Sequence, residues 1–372
     1  MKAPSAPNIG GNFGNGMVRL RTNAPALRVK PMVSLWADNK RSSRSHRATG
    51  ATGAFVVDIC LHLGAHRTGS TGFQVMLNGQ RPALRRAGLA YWGPERTRGG
   101  LLAGLVKNPH HLSTRDTQLG QRSCGRLRME FTRLEHAGVQ QLILSEENLI
   151  GTMAQNLEAV RLYGQLSGRL ERVSPAFEGR GLRIGIAIRA YDLHWASQLA
   201  FRVKAGAALP SAADLDRLAT QPRRWHDVIA DIGDVFPMAQ LVVWPFEGWV
   251  ANPAPLVAAL AGRPVALGPM AKPYKSNASA PAAALAKIAA ERGDLDGALR
   301  LATARHGARY MPFDSEQIWK LQEDYRADIA WLKAGAGPRV TYLDPTEDTF
   351  CGADMTEGSH HDREERSVGS AR

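Results

Sequence analysis

Residues 55–74 read FVVDICLHLGAHRTGSTGFQ, and this stretch decides the fold. The apolar, β-branched run over 55–63 has the composition and length of a buried strand. Gly64 then opens a turn. From residue 71 apolar side chains return at helical spacing (Phe73, Met76, Leu77, Leu84), with Pro82 as an interruption before residue 87. Strand, glycine-rich turn and helix in direct succession form the opening unit of a βα repeat.

The same alternation continues outward. A short strand is expected at 89–92, a helix at 122–137 ended by Gly138, and a strand at 139–144. Helix 153–170 leads to strand 182–188, whose run LRIGIAI is apolar on both faces, and helix 191–205 follows. Segments 222–233, 240–244 and 254–261 read as helix, strand and helix. Strands alternating with helices, with continuous rather than alternating hydrophobicity, imply an α/β three-layer architecture. Its central sheet is parallel and covered on both sides. Helices at 281–292 and 314–334 are expected to form a C-terminal cap over about 280–335. The domain organisation is then a basic leader at 1–53, one α/β domain at 54–343 and an acidic tail at 344–372. No repeat of fixed period is visible.

The 372 residues carry 47 Lys+Arg against 34 Asp+Glu, a net +13. Residues 1–53 hold nine basic residues and one acid, and 344–372 hold eight acids and three arginines, so the centre keeps +10. A basic globular centre suits an anionic substrate or cofactor, an anionic membrane or nucleic acid. No basic–aromatic stripe or nucleic-acid-binding motif accompanies the charge, and no specific nucleic acid is expected. No run reaches the roughly 18–20 apolar residues of a membrane span. The leader lacks a secretory apolar core and only loosely resembles a transit peptide, so a cytoplasmic location is expected. Three distant cysteines (Cys60, Cys124, Cys351) exclude a disulfide scaffold and fit a reducing compartment.

The turn itself carries the chemistry. Gly64-Ala65-His66-Arg67-Thr68-Gly69 has the glycine spacing of a phosphate-binding loop, whose N–H groups curl around an oxyanion at a helix N-terminus. A nucleoside-triphosphate loop needs lysine directly after its second glycine, and Ser70 stands there instead. The cation, Arg67, lies inside the loop, flanked by the hydroxyls of Thr68, Ser70 and Thr71. That arrangement suits a phosphate held without a magnesium bridge, and no metal is expected.

LHLGAHRTGSTGFQ (61–74) resembles the 5′-phosphosulfate loop of sulfotransferases that use 3′-phosphoadenylyl sulfate. It resembles in particular the form in bacterial sulfotransferase-like proteins, IHIGxHKTGTTxLQ. Arg67 stands where that family most often has lysine; it keeps the charge but cannot give up a proton. A second segment, LRIGIAIRAYDLHWASQLAF (182–201), resembles the family's 3′-phosphate site, with an arginine at a strand end (Arg189) and a serine eight residues later (Ser197). The resemblance covers roughly 55–335 in organisation, and only these two motifs are specific.

It implies a P-loop-containing fold and transfer of a sulfuryl group from 3′-phosphoadenylyl sulfate, without metal. The acceptor would be a hydroxyl or amine of a carbohydrate, lipid or small molecule. Cofactor contacts would come from Gly64, Ala65, His66, Arg67, Thr68, Gly69, Ser70, Thr71, Arg189 and Ser197. A third segment, AKPYKSNAS (271–279), offers Lys272, Lys275, Ser276 and Asn277.

The family draws its base from a loop after the second strand. Here that loop is YWGPERTRGG (91–100), making Glu95 the first candidate; His110, with His111 beside it, is the second. LILSEEN (142–148) brings Ser145, Glu146 and Glu147 to the ligand-binding edge. Glu146 is read as a substrate contact or a structural hydrogen-bond partner. Trp92, Trp195, Trp225, Trp244 and Trp249 are either sugar-stacking or core residues. The alternative function is a P-loop kinase or NTPase acting on a small molecule.

Overall fold

A computed structural model describes residues 55–269, 279–302 and 309–346. Six strands, β1 (Asp58–Gly64), β2 (Leu89–Trp92), β3 (Gln141–Ser145), β4 (Leu182–Ile188), β5 (Gln240–Pro245) and β6 (Val340–Tyr342), form one sheet in the order β2-β3-β1-β4-β5-β6. Every pairing is parallel. The architecture is the expected α/β sheet between two layers of helices.

The pleat explains why the strands read as unbroken apolar runs. Ile59, Leu61 and Leu63 of β1 join Leu142, Leu144, Ile184 and Ile186 in the core on one face. Cys60 faces the other way, with Ile143, Ala187 and Val242. Leu61 is fully buried, and a side chain of that size contributes about 1.5–3 kcal/mol on burial. The second face is covered by α1 (Ser70–Gly79) and α2 (Arg81–Arg86), split by Gln80 with Pro82 in the first turn of α2, and further along by a short helix at Pro255–Ala261.

Two further helical stretches differ widely from their expected bounds, besides smaller shifts such as 222–233, observed as Trp225–Val235. α3 runs from Thr114 to His136, beginning eight residues before the expected start; Ser113 and Asp116 exchange hydrogen bonds as a capping box there. The expected helix over 153–170 is two, α4 (Met153–Glu158) and α5 (Leu166–Val173). Between them Val160 and Tyr163 sit at φ 46° and 45°. Left-handed backbone at non-glycine residues costs of order 1–3 kcal/mol. Asn156 secures the break by accepting the Tyr163 N–H at 3.0 Å through its side-chain oxygen.

Beyond β4 come α6 (Tyr191–Lys204), α7 (Ala212–Thr220) and α8 (Trp225–Val235). After Pro255–Ala261, taken as α9, the cap consists of α10 (Ala282–Glu291), α11 (Leu295–Ala302) and α12 (Ser315–Lys333). α12 is tied to α6 and α8 through a buried Asp328, which accepts from the Tyr191 hydroxyl at 2.5 Å and lies 3.0 Å from His226 Nδ1. The chain then returns as β6 at the edge beside β5. Asp344, just past it, is buried and paired with Lys333 at 2.5 Å. Among the described residues no helix is long and apolar enough to cross a membrane.

The strand order fixes where a ligand belongs. The connection leaving β1 runs toward β2 on one side of the sheet, and the one leaving β4 runs toward β5 on the other. The carboxyl ends of β1 and β4 therefore flank the crevice where connections diverge, the usual ligand position in open parallel sheets.

Candidate functional site

β1 delivers the glycine loop into that crevice. Gly64 has φ 90°, and a Cβ there would lie 2.9 Å from Glu147 Cβ, so only glycine lets the strand end pass the segment after β3. Gly69, at φ 80°, caps α1 without a side-chain hydrogen bond. The first N–H groups of a helix have no intrahelical acceptor, so this terminus presents donors at the head of the loop. A Cβ on Gly69 would come within 2.9 Å of the Phe246 ring, which follows β5.

The curl of the loop is held from within. The hydroxyls of Thr68 and Ser70 both donate to the Ala65 carbonyl, at 2.6 and 2.9 Å. Turning either hydroxyl to a bound oxyanion would exchange a neutral hydrogen bond for a charge-assisted one. The Ala65 N–H donates to Ala187 O on β4 at 3.3 Å, and the His66 N–H to the Tyr163 hydroxyl at 2.9 Å. His66 is thereby turned inward. Having accepted that N–H, the Tyr163 hydroxyl has its own proton for His66 Nδ1, 3.2 Å away, and Nε2–H faces Asn148 Oδ1 at 3.3 Å. Burial holds the His66 pKa below the usual histidine value, in keeping with this neutral tautomer. His66 is thus a loop anchor.

Arg67 stands at φ 61°, a left-handed residue inside the loop. Its Nε donates to Ser197 Oγ at 2.9 Å, and its guanidinium lies over the Phe201 ring at 5.5 Å. Ser197, two turns into α6, is also 2.7 Å from Ser279 Oγ. Arg189 leaves the end of β4, where the Trp225 indole N–H donates to its carbonyl at 2.8 Å and fixes its backbone. Its Nη1 donates to the Arg67 carbonyl at 2.7 Å, and its guanidinium stacks over Phe246 at 4.8 Å. Loop and second motif, more than 120 residues apart in the chain, thus share one crevice.

Arg189 is 6% exposed, and its Nε has no hydrogen-bond acceptor among the described residues. The nearest carboxylate, Glu247, stands off at 3.7 Å. Burial pulls the Arg189 pKa down to about 10, so it remains a cation at neutral pH. Burial pushes the Glu247 carboxyl up, which weakens it further as a counter-ion.

The carboxylates gather at the β2–β3 side. Glu146, 1% exposed, accepts from Thr97 Oγ1 at 2.5 Å, from Arg98 Nη2 at 2.9 Å and from the Asn148 N–H at 3.1 Å. Its oxygens are used in holding the 97–98 turn against β3. Glu147, its neighbour, accepts from Gln74 Nε2 at 2.9 Å and pairs with Arg98 at 3.0 Å while packing on Gly64. Burial raises the Glu147 pKa, but its backbone N–H, His66, Arg98 and Gln74 outweigh that and hold it below the usual value. Gln74 also donates to Ser145 Oγ at 3.0 Å, itself 2.7 Å from His62 Nδ1.

Glu95 lies farther out, 55% exposed at its side chain and paired with Arg81 at 2.5 Å. His110 sits in a short 3-10 turn capped by Asn108 and lines a separate cavity near Tyr163. Lys272, Lys275, Ser276 and Asn277 lie outside the described residues. Of the tryptophans, Trp195 and Trp225 are fully buried core residues, and Trp92 and Trp244 are almost so.

Glu147, placed by the sequence at the ligand-binding edge without a role of its own, lies against the glycine loop. Its signal was its place two residues past the end of β3, whose neighbour in the sheet is the loop strand. Tyr163 had no signal at all. No protein-family model matches the chain, and neither a curated protein nor a solved structure matches it.

Proposed function

We propose that the protein is a sulfotransferase that uses 3′-phosphoadenylyl sulfate and transfers its sulfuryl group to a hydroxyl or amine of a small-molecule, carbohydrate or lipid acceptor. One observation carries this reading: Arg189, buried and with Nε unpaired among the described residues, lies 2.7 Å from the backbone of the very loop whose Arg67 bonds Ser197. A cation and a hydroxyl set beside a phosphate loop fit a nucleotide bearing a second, separate phosphate, which ATP lacks.

In this reading the α1 terminus and the loop N–H groups hold the 5′-phosphate, and Arg189 with Ser197 holds the 3′-phosphate. The acceptor oxygen forms a bond to sulfur as the bond from sulfur to the phosphate oxygen breaks. Arg67 stabilises the charge gathering on that leaving oxygen. Glu147, ionised at neutral pH and packed against Gly64, takes the acceptor proton. A magnesium-dependent NTPase reading has less support, because Ser70 replaces the loop lysine and Glu146 is engaged by Thr97, Arg98 and Asn148. Titration calorimetry without magnesium tests the choice. Adenosine 3′,5′-bisphosphate is expected to bind at least about tenfold tighter than ATP; equal affinities would overturn the assignment.

A further inference from the structure

A cavity of about 180 Å³, its surface mostly apolar, is lined in part by Tyr163. Asn108, His110, Ile150, Gln155, Tyr163 and Arg169 line it, and Glu158, Ala159 and Arg161 also border it. Its central feature is Arg169, fully buried on α5. The guanidinium donates through Nη1 to the carbonyls of Val106 and Asn148 and through Nη2 to Gln155 Oε1 at 2.7 Å. Among the described residues Nε has no acceptor and no carboxylate pairs with the group. Burial lowers its pKa to about 10, so it is charged at neutral pH. Buried arginines are ordinarily paired.

The surroundings add to the imbalance. Arg161 and Glu158 at the border cancel, His110 adds no negative charge, and Arg172 is the further charge felt by Arg169. Gln155 accepts from Arg169 through Oε1, which leaves an amide N–H2 as the group it can turn to another partner. Ile150 and the Tyr163 ring supply apolar wall. The wall segment 159–165 contains the left-handed Val160 and Tyr163, the strained kind of backbone found in ligand clamps.

We propose that this cavity binds a small organic carboxylate, with Arg169 as its counter-ion and the Ile150–Tyr163 wall taking its hydrocarbon part. The volume admits only a small acid, well below the size of drug-like ligands. The assignment does not depend on the nucleotide reading.

Calorimetry with benzoate, its neutral isostere benzamide and inorganic phosphate tests it. Benzoate is expected to bind at least about tenfold tighter than benzamide, and Arg169→Met to erase that difference. Because Arg169 also ties three segments together, Ala159→Trp serves as a second variant; it narrows the cavity from an exposed border position and is expected to abolish benzoate binding. Equal binding of benzoate and benzamide, phosphate binding without benzoate binding, unchanged benzoate affinity in Ala159→Trp, or no benzoate binding at millimolar concentration would each overturn the proposal. Adenosine 3′,5′-bisphosphate affinity measured on the same samples separates this outcome from failure of the nucleotide reading.

Discussion

The two halves of the sheet's carboxyl edge handle positive charge in opposite ways. On the β2–β3 side two arginines meet carboxylates closely: Arg98 with Glu146 and Glu147 at 2.9 and 3.0 Å, and Arg81 with Glu95 at 2.5 Å. Where β1 meets β4, Arg189 instead bonds a backbone carbonyl, and its one carboxylate stands at 3.7 Å. The first region is neutralised by its own side chains. In the second the nearest carboxylate leaves the buried Arg189 charge without a close counter-ion, and the proposed function assigns that charge to a phosphate brought from outside.

The contrast can be broken at several points. The largest effect is expected from Glu147→Gln. Loss of a general base typically lowers turnover by ~10²–10⁴-fold, and labelled-donor assays should show this with bisphosphate affinity unchanged; near-normal turnover would remove Glu147 from the chemistry. Next comes Arg189→Ala, which should weaken adenosine 3′,5′-bisphosphate about 100-fold in calorimetry while leaving ATP nearly unaffected, as loss of a charge-assisted contact of about 2–3 kcal/mol implies.

A smaller effect sharpens the boundary between the two regions, which His62 occupies on β1. Burial depresses its pKa from 6.5 to about 4, opposed by Glu147. The unfolded chain therefore binds a proton in that window that the folded chain does not. Stability from this group is complete above about pH 6.5 and is lost as pH falls through about 4, at up to about 1.4 kcal/mol per pH unit. Denaturant titrations across that range should show the acid slope, and His62→Gln should reduce it. The smallest effect belongs to Glu95→Gln. Its partner Arg81 and Glu95 itself are both substantially exposed, so stability should change by less than about 0.5 kcal/mol and turnover hardly at all. A severe loss of turnover would move the base from Glu147 to Glu95.

Much of this architecture was legible because burial leaves a plain imprint. The run 182–188 is apolar on both faces since helices cover both faces of β4, and its observed bounds are those read from sequence. The proximity of the loop and Arg189 was legible for a similar reason: glycine spacing and a strand end are local signals that a parallel sheet brings together. What escaped was non-local. Nothing in the chain marks Val160 and Tyr163 as left-handed, because the Asn156 hydrogen bond and the packing around Tyr163 impose it. β6 is a three-residue edge strand whose pattern is too short to read. The polar first eight residues of α3 hid its start, which the Ser113 capping box sets. The sequence places Glu146 and Glu147 side by side, and only the folded structure shows that Thr97 and the Asn148 N–H bond Glu146 while Gln74 bonds Glu147.

Tyr163 belongs to two neighbourhoods at once: its hydroxyl steadies His66 in the loop and its ring walls the Arg169 cavity. Were both proposed sites filled, a guest that restricts this phenol in one would alter the free energy of occupancy in the other, by the same factor in both directions. A chain built this way would register two visitors as correlated events, with a single aromatic side chain as the common term.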